Sequence, residues 1–444
     1  MAENHHLTQA MARLDALTDW ERRPRNKMRV GLAPMQDLAR RLGDPQTSFR
    51  AVHVAGTKGK GSVSALIEAA LRPAGLCVGR YGSPHVERVT ERISVQGRDV
   101  GEPTLARALN QALDAHEAAR TAGTPAANAT WFDLLTAAAF LTFREAGVEW
   151  AVIEVGLGGR LDSTNVVDGE IAVVTNIELE HTEILGKTRA AIAREKVGIL
   201  KPGAVLITTL EPDDEAGRVV QTRADELGSR VKRTRVNLSA PVEQINLALA
   251  AAVLGELRRK GVSGRSGEPV GAALLDGEAR AAARLPGRME RFDVDIGARR
   301  LPVVMDGAHV PFNIGAVLHD LALTPDLSGP CVAIVALAAD KDALGFVAEL
   351  GARASTILFT DLPGSSRGRP PAELDALAGS LGLTSEVEPD AKIALKRGIE
   401  LAARASAWLL VTGSLYLIGA LRGAVGEAAG AAPGFGRAPV GGSG

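Results

Sequence analysis

The stretch HVAGTKGKGSVSALIEAALRPAGL, residues 53–76, joins an apolar run, a glycine-rich turn and a helix-forming segment. A strand that leads into GTKGKGS at a helix N-terminus presents backbone N–H groups that intrahelical bonds leave unsatisfied, and the helix dipole there favours an anion. The stretch nearly matches the phosphate-binding loop consensus, but Val54 holds the first glycine position and Gly61 follows Lys60. The alternative is a tight strand-to-helix turn that needs glycine only for its geometry.

If the turn binds phosphate, its residues each have a chemical role. Gly59 and Gly61 let the backbone approach phosphate oxygens closely, and Lys60 supplies a point charge. Thr57 or Ser62 offers a hydroxyl to phosphate or magnesium.

Outward from this turn, short apolar runs alternate with helical segments, which predicts a mostly parallel sheet covered by helices. A chain of 444 residues is too long for one core, and a second alternating unit begins near Arg291. We therefore expect an α/β protein in which a phosphate-loop domain, residues 1–287, precedes a smaller Rossmann-like domain, residues 288–430. Residues 431–444 are rich in Gly, Pro and Ala and predict a flexible tail.

The composition excludes several classes of protein. A net charge of -1 gives no basic face for nucleic acid, and no stretch approaches the roughly 20 apolar residues that cross a bilayer. The two cysteines, Cys77 and Cys331, lie in apolar runs, so we expect buried thiols without a disulfide framework. A cytoplasmic location is the prediction, because the N-terminus also lacks an apolar signal core.

An acid stands at the end of a second apolar run. VIEVGLGGR places Glu154 where a buried carboxylate is costly unless it meets a cation. A phosphate-loop enzyme needs such an acid for Mg²⁺, which prefers hard oxygen ligands. A structural ion pair is the alternative for this residue.

Several longer motifs accompany the loop in a fixed order. They are SPH at Ser83, ERI at Glu91, EVGLGGRLDSTNVV at Glu154, TNIELEHTEILG at Thr175, AREKVGILKPG at Ala193 and DGAH at Asp306. Together with the loop they resemble the folylpolyglutamate synthase/dihydrofolate synthase family of the ATP-dependent Mur ligase superfamily. The resemblance explains why the loop departs from the consensus, since proteins of this superfamily characteristically have Gly after the lysine of the loop.

The resemblance implies an amide ligase. ATP would phosphorylate a carboxylate to an acyl phosphate, and the amine of L-glutamate would displace the phosphate, while cations stabilise the charge on oxygen. The implied acceptor is dihydropteroate or a reduced folate. The implied protein is a monomer with small-molecule partners only.

The resemblance also assigns a metal site. Ser83, Glu154 and His181 match the residues that hold Mg²⁺ in relatives, although Glu180 precedes the histidine where most relatives have Asp. Lys196 matches a lysine that relatives carbamylate, which would let it approach a second Mg²⁺. The alternatives are a packed histidine for His181 and a surface lysine on a helix for Lys196.

Further residues match positions that contact the nucleotide. Asn246, Arg288 and Asp306 are of this kind, with Asp306 on the second domain, and His309 is a weaker catalytic candidate. Closure of the two domains around ATP is therefore expected. A helix cap for Asn246 and a linker salt bridge for Arg288 are the alternatives.

The resemblance places the pterin of the acceptor against Leu161, Asp162 and Ser163. Residues 131–133, WFD, would add an apolar wall, but helical spacing makes Phe132, with Leu135 and Phe140, equally typical of a core.

The chain departs from its relatives at three places. Val310 replaces the asparagine of DGAHNP, PVEQIN precedes Asn246 where relatives have a histidine–glutamine pair, and residues 228–240 form a short segment. Two other functions stay open: a related ligase that acts on a muramyl-peptide or another carboxylate, and a nucleotide-dependent switch without ligase activity.

Overall fold

The structure is a computed structural model that describes residues 2–21, 31–237, 240–297, 299–365 and 367–430, with backbone only for residues 2–5. The chain forms two compact units. The first runs to His85 and resumes over Val89–Arg284, and the second holds Val86–Arg88 and everything described from Leu285 onward. The tail expected at residues 431–444 lies outside the described residues.

The first unit is built on an eight-stranded sheet of order β4-β3-β2-β5-β1-β6-β7-β8. Strands β2, β5, β1, β6, β7 and β8 run parallel, whereas β3 and β4 are antiparallel additions at one edge. The strands are β1 (Arg50–Ala55), β2 (Val78–Tyr81), β3 (Ile93–Val95), β4 (Arg98–Asp99), β5 (Trp150–Glu154), β6 (Gly169–Val174), β7 (Val205–Thr208) and β8 (Arg230–Arg233).

Helices cover this sheet and form its core with it. They are α1 (Ala2–Asp15), α2 (Ala33–Arg41), α3 (Lys60–Leu71), α4 (Glu102–Ala122), α5 (Trp131–Glu145), α6 (Thr182–Leu185), α7 (Arg189–Val197), α8 (Glu215–Glu226), α9 (Val242–Arg259) and α10 (Gly277–Ala282). A capping box starts α5, in which Thr130 and Asp133 satisfy each other's backbone N–H groups. Leu135 and Phe140 of this helix are fully buried core residues, and Phe132 is partly buried.

The second unit contains a six-stranded sheet of order β13-β12-β11-β14-β10-β9, parallel except for β9. Its strands are β9 (Glu290–Asp295), β10 (Arg300–Asp306), β11 (Cys331–Val335), β12 (Ala354–Phe359), β13 (Ser385–Val387) and β14 (Trp408–Thr412). Its helices are α11 (Pro311–Ala322), α12 (Ala343–Gly351), α13 (Pro371–Ser380), α14 (Ala391–Ala405) and α15 (Leu415–Ala428). The predicted fold class, two successive α/β sheets, is confirmed.

Strand register brings four loops of the first unit to one edge of the sheet. Val54 of β1 lies beside Glu154 of β5, and Tyr81 of β2 lies beside Ile153. On the other side of β1, Ala55 lies beside Val174 of β6. Because parallel strands end at the same edge, the segments that follow β2, β5, β1 and β6 are neighbours there.

The prediction for the cysteines is half right. Cys331 is fully buried in the second sheet, but Cys77 is only partly buried; it lies just before the first residue of β2, and its thiol donates to the Ala146 carbonyl. Neither forms a disulfide. Within the described residues, no helix is both long and apolar enough to cross a bilayer.

Candidate active site

The glycine-rich turn joins β1 directly to α3. Gly59 is the N-cap of α3 with φ 86°, and Lys60 is the first helical residue. The turn is fixed by Asn176, whose side-chain oxygen accepts hydrogen bonds from the backbone N–H groups of Lys58 at 2.8 Å and Thr57 at 3.2 Å. Thr175 donates to the Lys58 carbonyl at 2.6 Å. The loop that follows β6 therefore holds the phosphate-loop candidate in shape.

Two glycines of the turn are required by close approach as well as by backbone angle. A Cβ at Gly56, where φ is 147°, would lie 1.8 Å from the Thr175 hydroxyl oxygen. At Gly59 it would lie 2.4 Å from the side-chain oxygen of Asn246. Asn246 is buried inside α9 and is no helix cap, since Pro241 holds that position. The structure thus brings Asn246 against the turn.

Two lysines meet at this turn. Lys60 Nζ is 3.5 Å from the Thr57 carbonyl, and Lys196 Nζ donates to the Gly56 carbonyl at 2.8 Å. Lys196 is 5% exposed, so it is not a surface lysine. Burial and, after it, the charge of Lys60 lower the pKa of Lys196 to about 7, against the opposite effect of Glu180 and Asp162.

Two of the three metal-ligand candidates are in direct contact. The backbone N–H of Ser83 donates to Oε2 of Glu154 at 3.4 Å, and Glu154 is 6% exposed. His181, in the loop after β6, has φ 54°, a conformation that non-glycine residues rarely adopt. Its imidazole lies 3.7 Å from Glu180 and 4.0 Å from Glu183.

The donor set fits a magnesium ion that a nucleotide brings with it. Mg²⁺ is usually held by one or two carboxylates plus substrate phosphates, and Glu154 is a buried carboxylate beside the turn. Across the part of the chain that the structure describes, no three His, Cys, Asp or Glu side chains form a cage for a metal. A metal ion beside Glu154 would therefore need further oxygen ligands, such as substrate phosphates, to complete its coordination.

The candidate acceptor segment is held tightly. Oδ2 of Asp162 accepts the N–H of Leu157 at 2.8 Å, and Oδ1 accepts the N–H of Thr164 at 3.0 Å. Ser163 donates to Asp133 at 2.6 Å. These bonds fix the loop that follows Glu154.

Apolar side chains lie near the candidate acceptor segment. Phe132 lies over Gly156, where an added Cβ would come within 2.5 Å of its ring, and it also packs against the core. Trp131 is 1% exposed and lies beneath the Arg92 guanidinium, which covers its ring at 4.8 Å. Leu161 helps line a cavity of about 100 Å³.

The second unit carries its own group of candidates. Asp306, the last residue of β10, accepts the N–H of Met289 and of Ala308, each at 2.9 Å. Arg288 is exposed and donates to the Gly287 carbonyl at 3.3 Å, and His309 Nδ1 lies 2.8 Å from the Gly307 carbonyl. Arg288, Asp306 and His309 therefore surround the carboxyl end of β10.

Sequence reasoning missed two residues of the site. Thr175 and Asn176 lie inside the quoted TNIELEHTEILG motif, yet no role was assigned to them. Their position directly after β6, beside the strand that feeds the turn, is the signal that could have identified them.

Family models match both units. The Mur ligase middle domain matches residues 54–249, and the Mur ligase glutamate ligase domain matches residues 287–415. The folylpolyglutamate synthase of Lacticaseibacillus casei is 31% identical over 87% of this chain and 92% of its own length. The chain belongs to the folylpolyglutamate synthase/dihydrofolate synthase family.

Solved structures of this family share the fold over nearly the whole chain. The Mycobacterium tuberculosis folylpolyglutamate synthase complexed with ADP and AMPPCP has a TM-score of 0.80 and 26% identity over 96% of this chain and 99% of its own. The bifunctional folylpolyglutamate synthase/dihydrofolate synthase of Yersinia pestis, complexed with AMPPNP and a Mn ion, has a TM-score of 0.76 and 29% identity over 94% and 98%. Membership of this family makes the chain an ATP-dependent ligase that joins an acid to an amino acid.

Proposed function

We propose that this ligase joins L-glutamate to the carboxylate of a pteroate or folate acceptor, dihydropteroate or a reduced folate, at the expense of ATP. The observation that carries the proposal is the meeting of Lys60, Lys196 and Glu154 around one glycine-rich turn in a chain of this family. That arrangement matches the chemistry, because activating a carboxylate places negative charge on several oxygens at once.

The residues divide the work of the first step. The backbone of the turn, with Thr57, Gly59, Gly61 and Ser62, would bind phosphate, and Lys60 would place its charge against the transferred group. Asn246 lies against Gly59 of the turn and would contact the nucleotide.

Ser83, Glu154 and His181 would hold Mg²⁺. The bound ion neutralises developing charge on phosphate oxygens and orients them. The proposal includes two Mg²⁺ ions and a carbamylated Lys196.

Carbamylation of Lys196 has a physical basis in its surroundings. An amine must be unprotonated to react with carbon dioxide, and a pKa of about 7 leaves a large unprotonated fraction near neutral pH. The carbamate would turn the repulsion between Lys196 and Lys60 into an attraction. It would also add an oxygen ligand for a second Mg²⁺.

The proposal extends to the acceptor and to the second unit. Leu161, Asp162 and Ser163 would contact the pterin, while Asp306, Arg288 and His309 would supply the nucleotide contacts of a C-terminal domain that begins at residue 288. An attacking amine needs the activated carboxylate held in place, so the second step depends on the same residues.

A product assay tests the proposal. The protein is incubated with ATP, Mg²⁺ and L-glutamate plus dihydropteroate, a reduced folate or a muramyl-peptide in separate reactions, and amide products are identified by mass spectrometry. We expect glutamylated pteroate or folate and no muramyl product. Lys60→Ala should abolish product formation, and the exposed Lys187→Ala is the matched control.

Other outcomes favour the other functions. Phosphate release that ignores both glutamate and acceptor indicates a nucleotide switch, and a product formed only on the muramyl-peptide indicates the related ligase. Either result overturns the proposal.

A further inference from the structure

A hydrogen-bonded chain of side chains runs from the centre of the first sheet to the acceptor segment. His53 on β1 is 0% exposed, and its Nε2 lies 2.9 Å from the hydroxyl oxygen of Thr164. That hydroxyl lies 2.5 Å from Oδ1 of Asp162. Neither His53 nor Thr164 belongs to the metal or phosphate groups described above.

The direction of each bond in the chain can be worked out. Burial raises the pKa of Asp162, but the backbone N–H groups that donate to both of its oxygens lower it and favour the acceptor-only, ionised form. The Thr164 hydroxyl must then donate to Asp162, so its oxygen accepts from His53. His53 therefore carries its proton on Nε2.

The other ring nitrogen agrees with this assignment. Among the described residues, His53 Nδ1 is buried without a hydrogen-bond partner. In the opposite tautomer a buried N–H group would lack an acceptor, and the single Thr164 proton would face two acceptors. The assigned tautomer avoids both costs.

The donor state of His53 does not change with pH in the working range. Burial and, after it, the nearby charge of Lys201 lower the pKa of His53 to about 3. The imidazole is therefore neutral near neutral pH. A histidine in this setting is a fixed hydrogen-bond donor and no acid–base catalyst.

The chain fixes one side of the acceptor segment, and α5 fixes the other. Ser163 is tied to Asp133, whose second oxygen caps α5 through Thr130. Asp162 also holds Leu157, three residues after the metal-ligand candidate Glu154. A loose Asp162 would therefore disturb the acceptor segment first.

We propose that His53 is a positioning residue for the acceptor: acting through Thr164, it holds the Asp162 carboxylate in the orientation that meets a donor-rich heteroaromatic ring. The inference rests on the proposed function, in which residues 161–163 contact a pterin. It adds a group that never touches the substrate. Its effect should appear in acceptor affinity and not in the chemistry at the phosphate loop.

The experiment compares paired variants in steady-state kinetics. Thr164→Val deletes the hydroxyl at nearly constant volume, and Thr164→Ser keeps it. His53→Leu removes the donor, and His53→Gln keeps one. We expect the KM for the acceptor to rise about 10- to 100-fold in Thr164→Val and His53→Leu, as for one lost bond to a charged group. The KM for ATP and kcat should change less than about threefold, and Thr164→Ser should restore the acceptor KM.

Two results overturn the inference. One is a Thr164→Ser variant as impaired as Thr164→Val. The other is a parallel loss in the KM values of all three substrates, which denotes a general packing role. Thermal melting identifies any variant that fails to fold. For such a variant, the acceptor KM of Thr164→Ser compared with that of the unmodified protein decides whether the inference holds.

A second measurement needs no turnover. ¹⁵N nuclear magnetic resonance of histidine-labelled protein should show His53 as the Nε2–H tautomer with no titration between pH 5 and 9, and Thr164→Val should alter its signals. An Nδ1–H tautomer in the unmodified protein contradicts the inference. If the unmodified protein forms no pteroate or folate product, the proposed function is wrong. The tautomer of His53 then still decides whether the hydrogen bonds through Thr164 hold Asp162.

Discussion

At the scale of single residues, Lys196 combines a buried position with an amine that is half-protonated near neutral pH. Its folded pKa of about 7 lies below the ordinary value of 10.5. Below pH 7 the folded protein carries the full cost of a buried cation. Between pH 7 and 10.5 the unfolded chain binds more protons than the folded one, so stability rises with pH and the cost disappears above that range.

Lys196→Met should therefore stabilise the protein most at low pH. The gain at pH 6 should approach a few kcal/mol, because a shift of this size corresponds to at most about 5 kcal/mol and the lost bond to Gly56 removes about 1 kcal/mol. Urea unfolding in carbon dioxide-free buffer at pH 6, 7.5 and 9 measures it. An advantage that stays constant across this range, or that the exposed Lys187→Met also shows, contradicts the pKa assignment.

Gly59 is the second residue whose surroundings make a prediction. Gly59→Ala places a methyl group at φ 86° and 2.4 Å from Asn246, so we expect a destabilisation of about 2 kcal/mol and weaker binding of a nucleotide analogue. In Gly59→Ala/Asn246→Ala the contact is relieved but the backbone strain remains. The double variant should recover about half of the stability in urea unfolding. Full recovery would show that backbone angle contributes nothing.

Motif residues and their supports differ in how far sequence predicts them. Lys60 and Glu154 were predictable, because a turn between strand and helix and an acid at a strand end have chemical reasons to exist. The packing of Asn246 on Gly59 was not, since two residues so distant in sequence meet only after folding. For the same reason, the hydrogen bonds that link His53, Thr164 and Asp162 could not be predicted from the sequence.

At the scale of elements, the strands that the sequence predicted are those buried on both faces of the sheet. Strands β1, β5 and β6 are continuous apolar runs and were predicted, and the helices α3 and α9 follow from their periodicity. Strands β3, β4 and β8 were missed because they are short, and the two at the edges of the sheet, β4 and β8, also carry Arg, Asp or Lys. Edge strands of this composition resist pairing with other chains, so their polarity hides them from hydrophobic patterns.

The N-terminus of α11 explains one departure from the family. Val310 is the N-cap, in extended conformation with φ -134° and ψ 154°, and no side chain caps the helix. The asparagine of DGAHNP would supply the missing acceptor. With Val310 in place of this asparagine, α11 thus lacks a side-chain cap at its N-terminus.

Val310→Asn should stabilise the second unit by about 1 kcal/mol, because the amide oxygen can accept an N–H from the first turn of α11. Calorimetry measures the shift in melting temperature. Val310→Ala, which has no acceptor, is the control. Equal melting temperatures for the two variants would rule out capping.

At the scale of the whole molecule, candidate groups occur in both units. Asp306 uses both oxygens on Met289 and Ala308, so it orders the turn that presents Arg288. The prediction from the resemblance is that this acid belongs to the catalytic machinery although it lies in the second unit.

Asp306→Asn should lower kcat/KM for amide formation by about 100-fold or more, since it removes a charge at a site where charge is transferred. One backbone bond is also lost, so melting should fall by only a few degrees. The mass-spectrometric product assay measures the loss, with Asp326→Asn on the exposed surface of the same unit as control. Normal turnover would remove Asp306 from the mechanism.

The bond between Lys196 and the Gly56 carbonyl joins residues 140 positions apart. During synthesis the glycine-rich turn leaves the ribosome long before its lysine partner exists, and Asn246 arrives later still. The contacts that surround the proposed nucleotide site are therefore completed only after most of the first unit has been translated.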